Sequence, residues 1–267
     1  MKWIEVPGGA LRYDLDGSGM TTVLIHEAGG SLESWDPVVP HFATQGRMLR
    51  YDQRGFGLSE RVSSLSLRSM VADLLALLDA LDIRERVHLL GTAIGGSIAL
   101  GLAAHHPERV ASLIATSPVT GGLGEAAKAS LEQRARIVER DGMRAIADTS
   151  LLRSYPERLR HDTEGFTQYR LRFLANDPHS FAALSRAFSG IDVDPLCARI
   201  ECRALIIGCT EDPIKPTAEC RALAERLAHG QYLELNTGHY IGQISPQLLI
   251  EAAGVFFAAH SAPGQLS

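Results

Sequence analysis

Gly91-Thr92-Ala93-Ile94-Gly95-Gly96 lies between an apolar run and a helix-forming run, and its reading decides the fold. A sharp strand-to-helix turn that lifts one side chain above a sheet tolerates only small residues two positions before and two after that side chain. Gly91 and Gly95 meet both demands around position 93, where a nucleophile would stand, yet the residue there is alanine. The preceding Arg86-Val87-His88-Leu89-Leu90 predicts a short buried parallel strand, and the small and aliphatic residues from Ser97 to Ala104 predict a buried helix. His105-His106-Pro107 predicts the end of that helix. Six such residues also occur as plain tight packing, so the surroundings must carry the reading.

Outward from the turn, strand and helix patterns alternate. Residues 3 to 16 predict two short strands around Pro7-Gly8-Gly9, and Thr22-Val23-Leu24-Ile25 predicts a buried strand that feeds the glycine-bearing loop His26-Glu27-Ala28-Gly29-Gly30-Ser31. A helix is expected from Leu32 to Ala43, a strand over Arg47 to Asp52, and a helix from Ser66 with Met70, Leu74, Leu77, Leu78 and Leu81 on its apolar stripe. Ala111 to Thr116 predicts the next strand. From Val119 to Arg199 only charged amphipathic helical stretches appear: Gly124 to Asp141, Met143 to Ser150, Tyr155 to Leu174 and His179 to Phe188. Strand Ala204 to Cys209, helix Thr217 to Ala228, strand Gln231 to Leu235 and helix Pro246 to Ala259 then resume the rhythm, and residues 261 to 267 are expected to fray. The pattern predicts an α/β fold: a mostly parallel eight-stranded sheet with an antiparallel edge, helices on both faces, and an all-helical lid after the sixth strand. Core segments 1–118 and 200–267 flank the lid, 119–199.

Composition narrows the partners. A formal charge of −5, with arginines interleaved among acids, offers no basic field for nucleic acid. No apolar stretch is long enough to span a bilayer, and the N-terminal run meets Glu5 and Pro7 too early for a signal peptide, so no membrane partner and a cytoplasmic location are expected. Cys197, Cys202, Cys209 and Cys220 lack the C-x-x-C pairing of a zinc site and read as buried or free thiols. Neither a metal-ligand cluster nor a dinucleotide fingerprint is present, so no metal and no cofactor are expected. A small molecule is the expected partner, and exposed apolar lid faces could support a homodimer.

In parallel sheets, ligands bind beyond the carboxyl ends of the strands. Three such loops stand out: the glycine-flanked turn, Thr210-Glu211-Asp212-Pro213, and Asn236-Thr237-Gly238-His239-Tyr240. Their order, together with His26 to Gly30, Tyr51 to Ser59 and Gly208 to Pro213, resembles the α/β-hydrolase superfamily, whose triad runs nucleophile, acid, histidine. The lid, with its Ile137 to Met143 turn and Asp177-Pro178 stretch, is most similar to that of 3-oxoadipate enol-lactonase-like hydrolases. An alanine elbow resembles that of aminoacrylate hydrolase-like members.

The resemblance implies roles. His239 would be the general base and Asp212 its orienting acid, with Ala93 at the nucleophile position. The N–H groups of Ala28 and Ile94 would form the oxyanion hole. His26, Glu27, Thr92 and Tyr240 are the pocket candidates: His26 to hydrogen-bond backbone at the oxyanion loop, Thr92 as a weak substitute nucleophile. The Glu27 carboxylate either points away from the pocket, which is the expectation, or orients a water within it. Asp52 and Arg54 are expected to form a buried pair bracing their loop. Among the lid arginines, Arg134, Arg136, Arg140, Arg153 and Arg172 could meet a substrate carboxylate, although pairing with Glu132, Glu139, Asp141 and Asp148 is the expectation for most.

The methyl group of Ala93 cannot attack a carbonyl. Either His239 and Asp212 activate water directly against an activated lactone, ester, enamine or amide, or alanine replaces a native serine of an acyl-enzyme mechanism. Two further classes stay open: cofactor-free lyase, isomerase or oxygenase chemistry on the same base, and a non-catalytic small-molecule binder.

Overall fold

The computed structural model describes residues 2–258; the tail expected to fray, and Ala259 at the expected end of the last helix, lie outside them. In chain order the elements are β1 (Lys2–Val6), β2 (Gly9–Asp16), β3 (Thr21–Ile25), α1 (Val39–Phe42), β4 (Arg47–Tyr51), α2 (Leu67–Ala80), β5 (Val87–Thr92), α3 (Ile94–His105), β6 (Val110–Thr116), α4 (Glu125–Asp141), α5 (Arg144–Ser154), α6 (Thr163–Ala175), α7 (Pro178–Ala187), β7 (Arg203–Cys209), α8 (Thr217–Arg226), β8 (Gly230–Leu235), α9 (Ile241–Ile244) and α10 (Pro246–Ala258).

Eight strands form one sheet in the order β1-β2-β4-β3-β5-β6-β7-β8. β1, β2 and β4 pair antiparallel, and every pairing from β4 onward is parallel, which is the expected mostly parallel sheet with its antiparallel edge. β3 and β5 are buried along their whole length because helices cover both faces. One apolar cluster joins α2 and α3 to the sheet through Leu74, Leu77, Leu78, Ile98 and Leu102. A second, including Trp35, Phe42, Leu249 and Phe256, packs the opposite face. Between β6 and β7 the chain forms α4 to α7, with no strand among these residues. No described helix is long and apolar enough to cross a membrane.

Several expectations need correction. The single helix over Leu32 to Ala43 is instead a 3-10 turn over Leu32–Trp35 followed by the short α1. Pro37 lies between them, and a proline has no N–H to donate to the preceding turn, so the helical hydrogen-bond ladder is interrupted there. The stretch from Tyr155 is broken by Pro156 and a 3-10 turn; α6 starts only at Thr163, where the Asp162 carboxylate accepts the Gly165 N–H at 2.8 Å.

Asp52 and Arg54 do not pair with each other. Asp52 accepts from Arg12 at 3.1 Å and from the Leu32 and Leu58 backbone N–H groups at 2.7 and 2.8 Å. Arg54 instead reaches Asp73 of α2, its Nε donating at 3.0 Å. A turn closed by the Phe56 N–H on the Gln53 carbonyl swings Arg54 away from its neighbour. The loop is thus braced by partners from β2 and α2. All four cysteines are free and buried.

Candidate active site

The elbow is built by close approach. Ala93 has φ 52° and ψ −116°, a left-handed conformation that costs a side-chain-bearing residue about 1–3 kcal/mol. Its N–H donates to the Thr116 carbonyl at 2.9 Å, tying the turn to β6. A Cβ on Gly91 would stand 2.2 Å from the Gly95 carbonyl oxygen, so the strand can enter the turn only without a side chain there. Ile94 opens α3 directly after the turn, and the first N–H groups of a helix have no intrahelical acceptor. Ala93 is 4 % exposed beneath the surrounding loops.

The acid and histidine loops are stitched together. The Thr210 N–H donates to the Leu235 carbonyl and the Glu211 N–H to the Thr237 carbonyl, both at 3.0 Å. The Thr210 hydroxyl adds a 2.8 Å bond to the Asn236 side-chain oxygen. These bonds bring Asp212 Oδ2 to 2.6 Å from His239 Nδ1. Asp212 Oδ1 accepts from the N–H groups of Ile214 and Lys215 at 2.8 and 3.1 Å, which fixes the carboxylate. Burial pushes the Asp212 pKa up, but the His239 hydrogen bond and charge, with the other donors, outweigh it and hold the pKa below the usual carboxylate value. With Nδ1 engaged, Nε2 is the nitrogen left to exchange a proton.

The loop after β3 approaches from the other side. His26 is fully buried: its Nε2 accepts the Gln53 N–H at 3.0 Å, so Nδ1 carries the proton and donates to the Glu27 carbonyl at 2.7 Å. Both ring nitrogens are used on backbone, which makes His26 a brace for the loop and not a pocket group. The Tyr240 hydroxyl donates to the Ala28 carbonyl at 3.4 Å, and its ring lies 4.9 Å from that of His239.

Glu27 departs from expectation. It is buried, accepts from the Ser34 hydroxyl at 2.7 Å, and with Ser34, Trp35, Thr92, Tyr240 and Gln243 lines a crevice too narrow to admit a water molecule. The carboxylate therefore faces inward, because Gly30 leaves room for it: a Cβ at position 30 would stand 2.3 Å from Glu27 Oε1. Thr92 lines the same gap, but its hydroxyl accepts from Thr116 at 2.9 Å and is directed along the sheet. A larger cleft, about 730 Å³, runs between Pro156–Arg158 and Thr210–Pro213; Asp212 borders it, while neither His239 nor Ala93 lines it.

Helices α4 to α7 add residues that no sequence pattern marks. The ring of Tyr169 stands 5.4 Å from that of Tyr240. Arg136 pairs with Glu132 and Arg140 with Asp141, as expected of solvated helix faces. Arg134 is different: it donates to the Ser150 hydroxyl at 2.9 Å and lies 5.2 Å over the Phe181 ring, without an ion pair among the described residues. Burial lowers its pKa. Phe181 in turn packs against Gly29, so this cation lies behind the loop that carries Ala28. No described cluster of histidine, cysteine, aspartate or glutamate could hold a metal ion.

Comparison with known proteins follows the same outline. A family described as alpha/beta hydrolase fold matches residues 22–242. 3-Oxoadipate enol-lactonase 1 of Acinetobacter baylyi is 27 % identical over 251 residues, covering 91 % of each chain. A putative carbamate hydrolase RutD of Azorhizobium caulinodans is 28 % identical, covering 90 % of this chain and 92 % of its own. The crystal structure of the enol-lactonase from Burkholderia xenovorans LB400 superposes with a TM-score of 0.91 at 26 % identity, over 96 % of this chain and 100 % of that one.

Proposed function

Because the chain belongs to the α/β-hydrolase fold family, near the enol-lactonases, we propose that it hydrolyses a small organic molecule without a covalent intermediate at the elbow. The observation that supports this reading is the buried 2.6 Å contact of His239 with Asp212 beside an elbow that ends in a methyl group. In this mechanism His239 Nε2 removes a proton from water as the water attacks the electrophilic carbon. Asp212 holds the imidazole in the required tautomer and stabilises the imidazolium. The N–H groups of Ile94 and Ala28 take the charge that develops on the substrate oxygen. His239 then returns its proton to the leaving group.

Helices α4 to α7 serve as the lid in this reading, and their side chains select the substrate. Water attack without acyl transfer suits an electrophile more reactive than an ordinary ester, such as an activated lactone, an enamine or an activated amide. The relatives named as enol-lactonase and carbamate hydrolase fall within that range. A second reading is favoured by the left-handed backbone at residue 93: this elbow still has the form that presents a nucleophile, as it would if alanine replaced a serine.

The test is turnover of a panel of lactones, enamines and activated amides in ¹⁸O-labelled water. One labelled oxygen per product, lost together with turnover in His239→Ala, is the expected result. Product without label would exclude hydrolysis and favour lyase or isomerase chemistry on the same base.

A further inference from the structure

The turn that follows the candidate acid has its side chains inside out. Pro213 and Pro216 are exposed and Ile214 is 39 % exposed, whereas Lys215 between them is only 7 % exposed. A lysine is ordinarily left in water and an isoleucine buried, so the inversion needs a cause. That cause lies at the amino group: Lys215 Nζ donates to the Thr120 hydroxyl at 2.5 Å and also pairs with the Glu219 carboxylate of α8. The Glu219 side chain is 54 % exposed, so water screens this ion pair and it contributes little. The bond to Thr120 is therefore what holds the lysine inward.

Thr120 is a junction. It stands where the chain leaves β6 for α4 to α7, and the returning chain meets it there. Its carbonyl accepts the Val193 N–H at 3.0 Å, and a Cβ on the neighbouring Gly121 would stand 2.2 Å from the Ile191 carbonyl oxygen. One residue earlier, the Val119 carbonyl accepts from the Ser97 hydroxyl of α3 at 2.6 Å. Thr120 is thus fixed to the elbow helix on one side and to the end of the α4 to α7 segment on the other, which makes it a rigid abutment for Lys215.

The backbone of the same lysine reaches the dyad. The N–H groups of Ile214 and Lys215 are the donors to Asp212 Oδ1, while Asp212 Oδ2 meets His239 Nδ1. Of residues 213–216, only Lys215 is buried, so its side chain ties the donor-bearing turn to the rest of the fold. A buried amino group is a costly anchor for stability alone, since an apolar side chain of similar volume often serves as well. What it adds is direction: one hydrogen bond fixes where the turn, and the two N–H groups it carries, can sit. We propose that Lys215 is a positioning residue for the pair of His239 and Asp212, holding the carboxylate in line with the imidazole by anchoring the acid turn to Thr120. Its consequence for rate rests on the hydrolytic reading, but the hydrogen bond it acts on can be observed without substrate.

Lys215→Met keeps the stem and removes the amino group; Thr120→Val keeps the shape and removes the acceptor. The proton on His239 Nδ1, shared with Asp212 over 2.6 Å, should give a strongly deshielded NMR resonance in the intact protein, identified by its loss in His239→Ala. In Lys215→Met and in Thr120→Val this resonance should move upfield or vanish through faster exchange with water. Thr120→Ser, which restores an acceptor, should recover it, and the two Thr120 variants decide the matter if Lys215→Met folds poorly. On a substrate that is turned over, Lys215→Met should lower kcat about tenfold or more while KM changes less than about twofold, the mark of misplaced catalytic groups. Combined with His239→Ala it should lower the residual rate no further, because it acts through the imidazole. If nothing is turned over, the hydrolytic reading fails and the resonance still decides this one. An unchanged resonance in either Lys215→Met or Thr120→Val, no such resonance in the parent chain, or a loss that Thr120→Ser does not recover would each overturn the assignment.

Discussion

Gly95 of α3 lies so close to the end of β3 that a Cβ on it would stand 2.1 Å from the Ile25 carbonyl oxygen. Backbone, not a flexible side chain, fills that space. Gly95→Ala should therefore cost about 1–3 kcal/mol of stability by overpacking. Because Ile25 leads into the loop bearing Ala28, the same change should also lower turnover. Chemical denaturation and steady-state rates check both; a fully stable, fully active variant would mean that the loop does not depend on this contact.

Removing the base should be more damaging than removing its orienter. His239→Ala is expected to lower kcat by about 10²–10⁴, the usual contribution of a positioned base. Asp212→Asn should lose much of the same factor, because an amide at that position can no longer stabilise the imidazolium. Combining the two changes should cost little beyond His239→Ala alone, since they act as a unit. Additive losses measured in the double variant would argue against the dyad.

Stability should respond to acid through Asp212. Its folded pKa lies below the unfolded value near 3.8, so its contribution is fully present above that pH and is lost as pH falls through the lower folded value. Denaturation midpoints of wild type and Asp212→Asn should converge below about pH 4, where the carboxylate of the unfolded chain is protonated. A constant gap between them down to the acid transition would place the stabilisation elsewhere.

The left-handed backbone at residue 93 is the basis of the second reading, and Ala93→Ser tests it. Incubated with an activated ester, the serine variant should gain an acyl mass that the parent chain never shows. Rapid ester turnover by the variant, against traces in the parent, would favour the reading in which alanine replaces a serine. If no adduct forms, either His239 or the proposed oxyanion donors are out of place.

The cysteines should be nearly inert in the folded chain. Burial pushes Cys202 up to about 11 and both Cys209 and Cys220 to about 12. For the latter two, the thiolate fraction at neutral pH falls on the order of 10³-fold relative to an ordinary thiol. A thiol reagent should thus titrate them only after unfolding.

Much of this was legible because it depends on local pattern. β3 and β5 announce themselves as short apolar runs, and the glycines at 91 and 95 mark a turn whose sterics are unusually strict. Asp212 and His239 could be located because both follow strands of a parallel sheet. What could not be read depends on partners remote in the chain. Asp52 and Arg54 are two residues apart, but Arg12 and Asp73 determine where they point. Glu27 turns inward because Ser34 offers a hydroxyl and Gly30 offers space, neither of which leaves a periodic signal. Tyr169 reaches the site from α6, and nothing in its neighbouring residues indicates that placement. The helix expected after Ser31 is of another kind, since Pro37 stands inside that stretch and divides it into a 3-10 turn and the short α1.

The methyl group at the elbow also bears on how such a protein would be noticed. Surveys that tag serine hydrolases with organophosphate probes depend on an attacking oxygen at the turn, and Ala93 presents only carbon there. An enzyme of this kind would pass through such a survey unlabelled and keep its rate in the presence of inhibitors that silence its serine-bearing relatives. In a mixed extract, activity that survives those inhibitors is where its substrate should be sought.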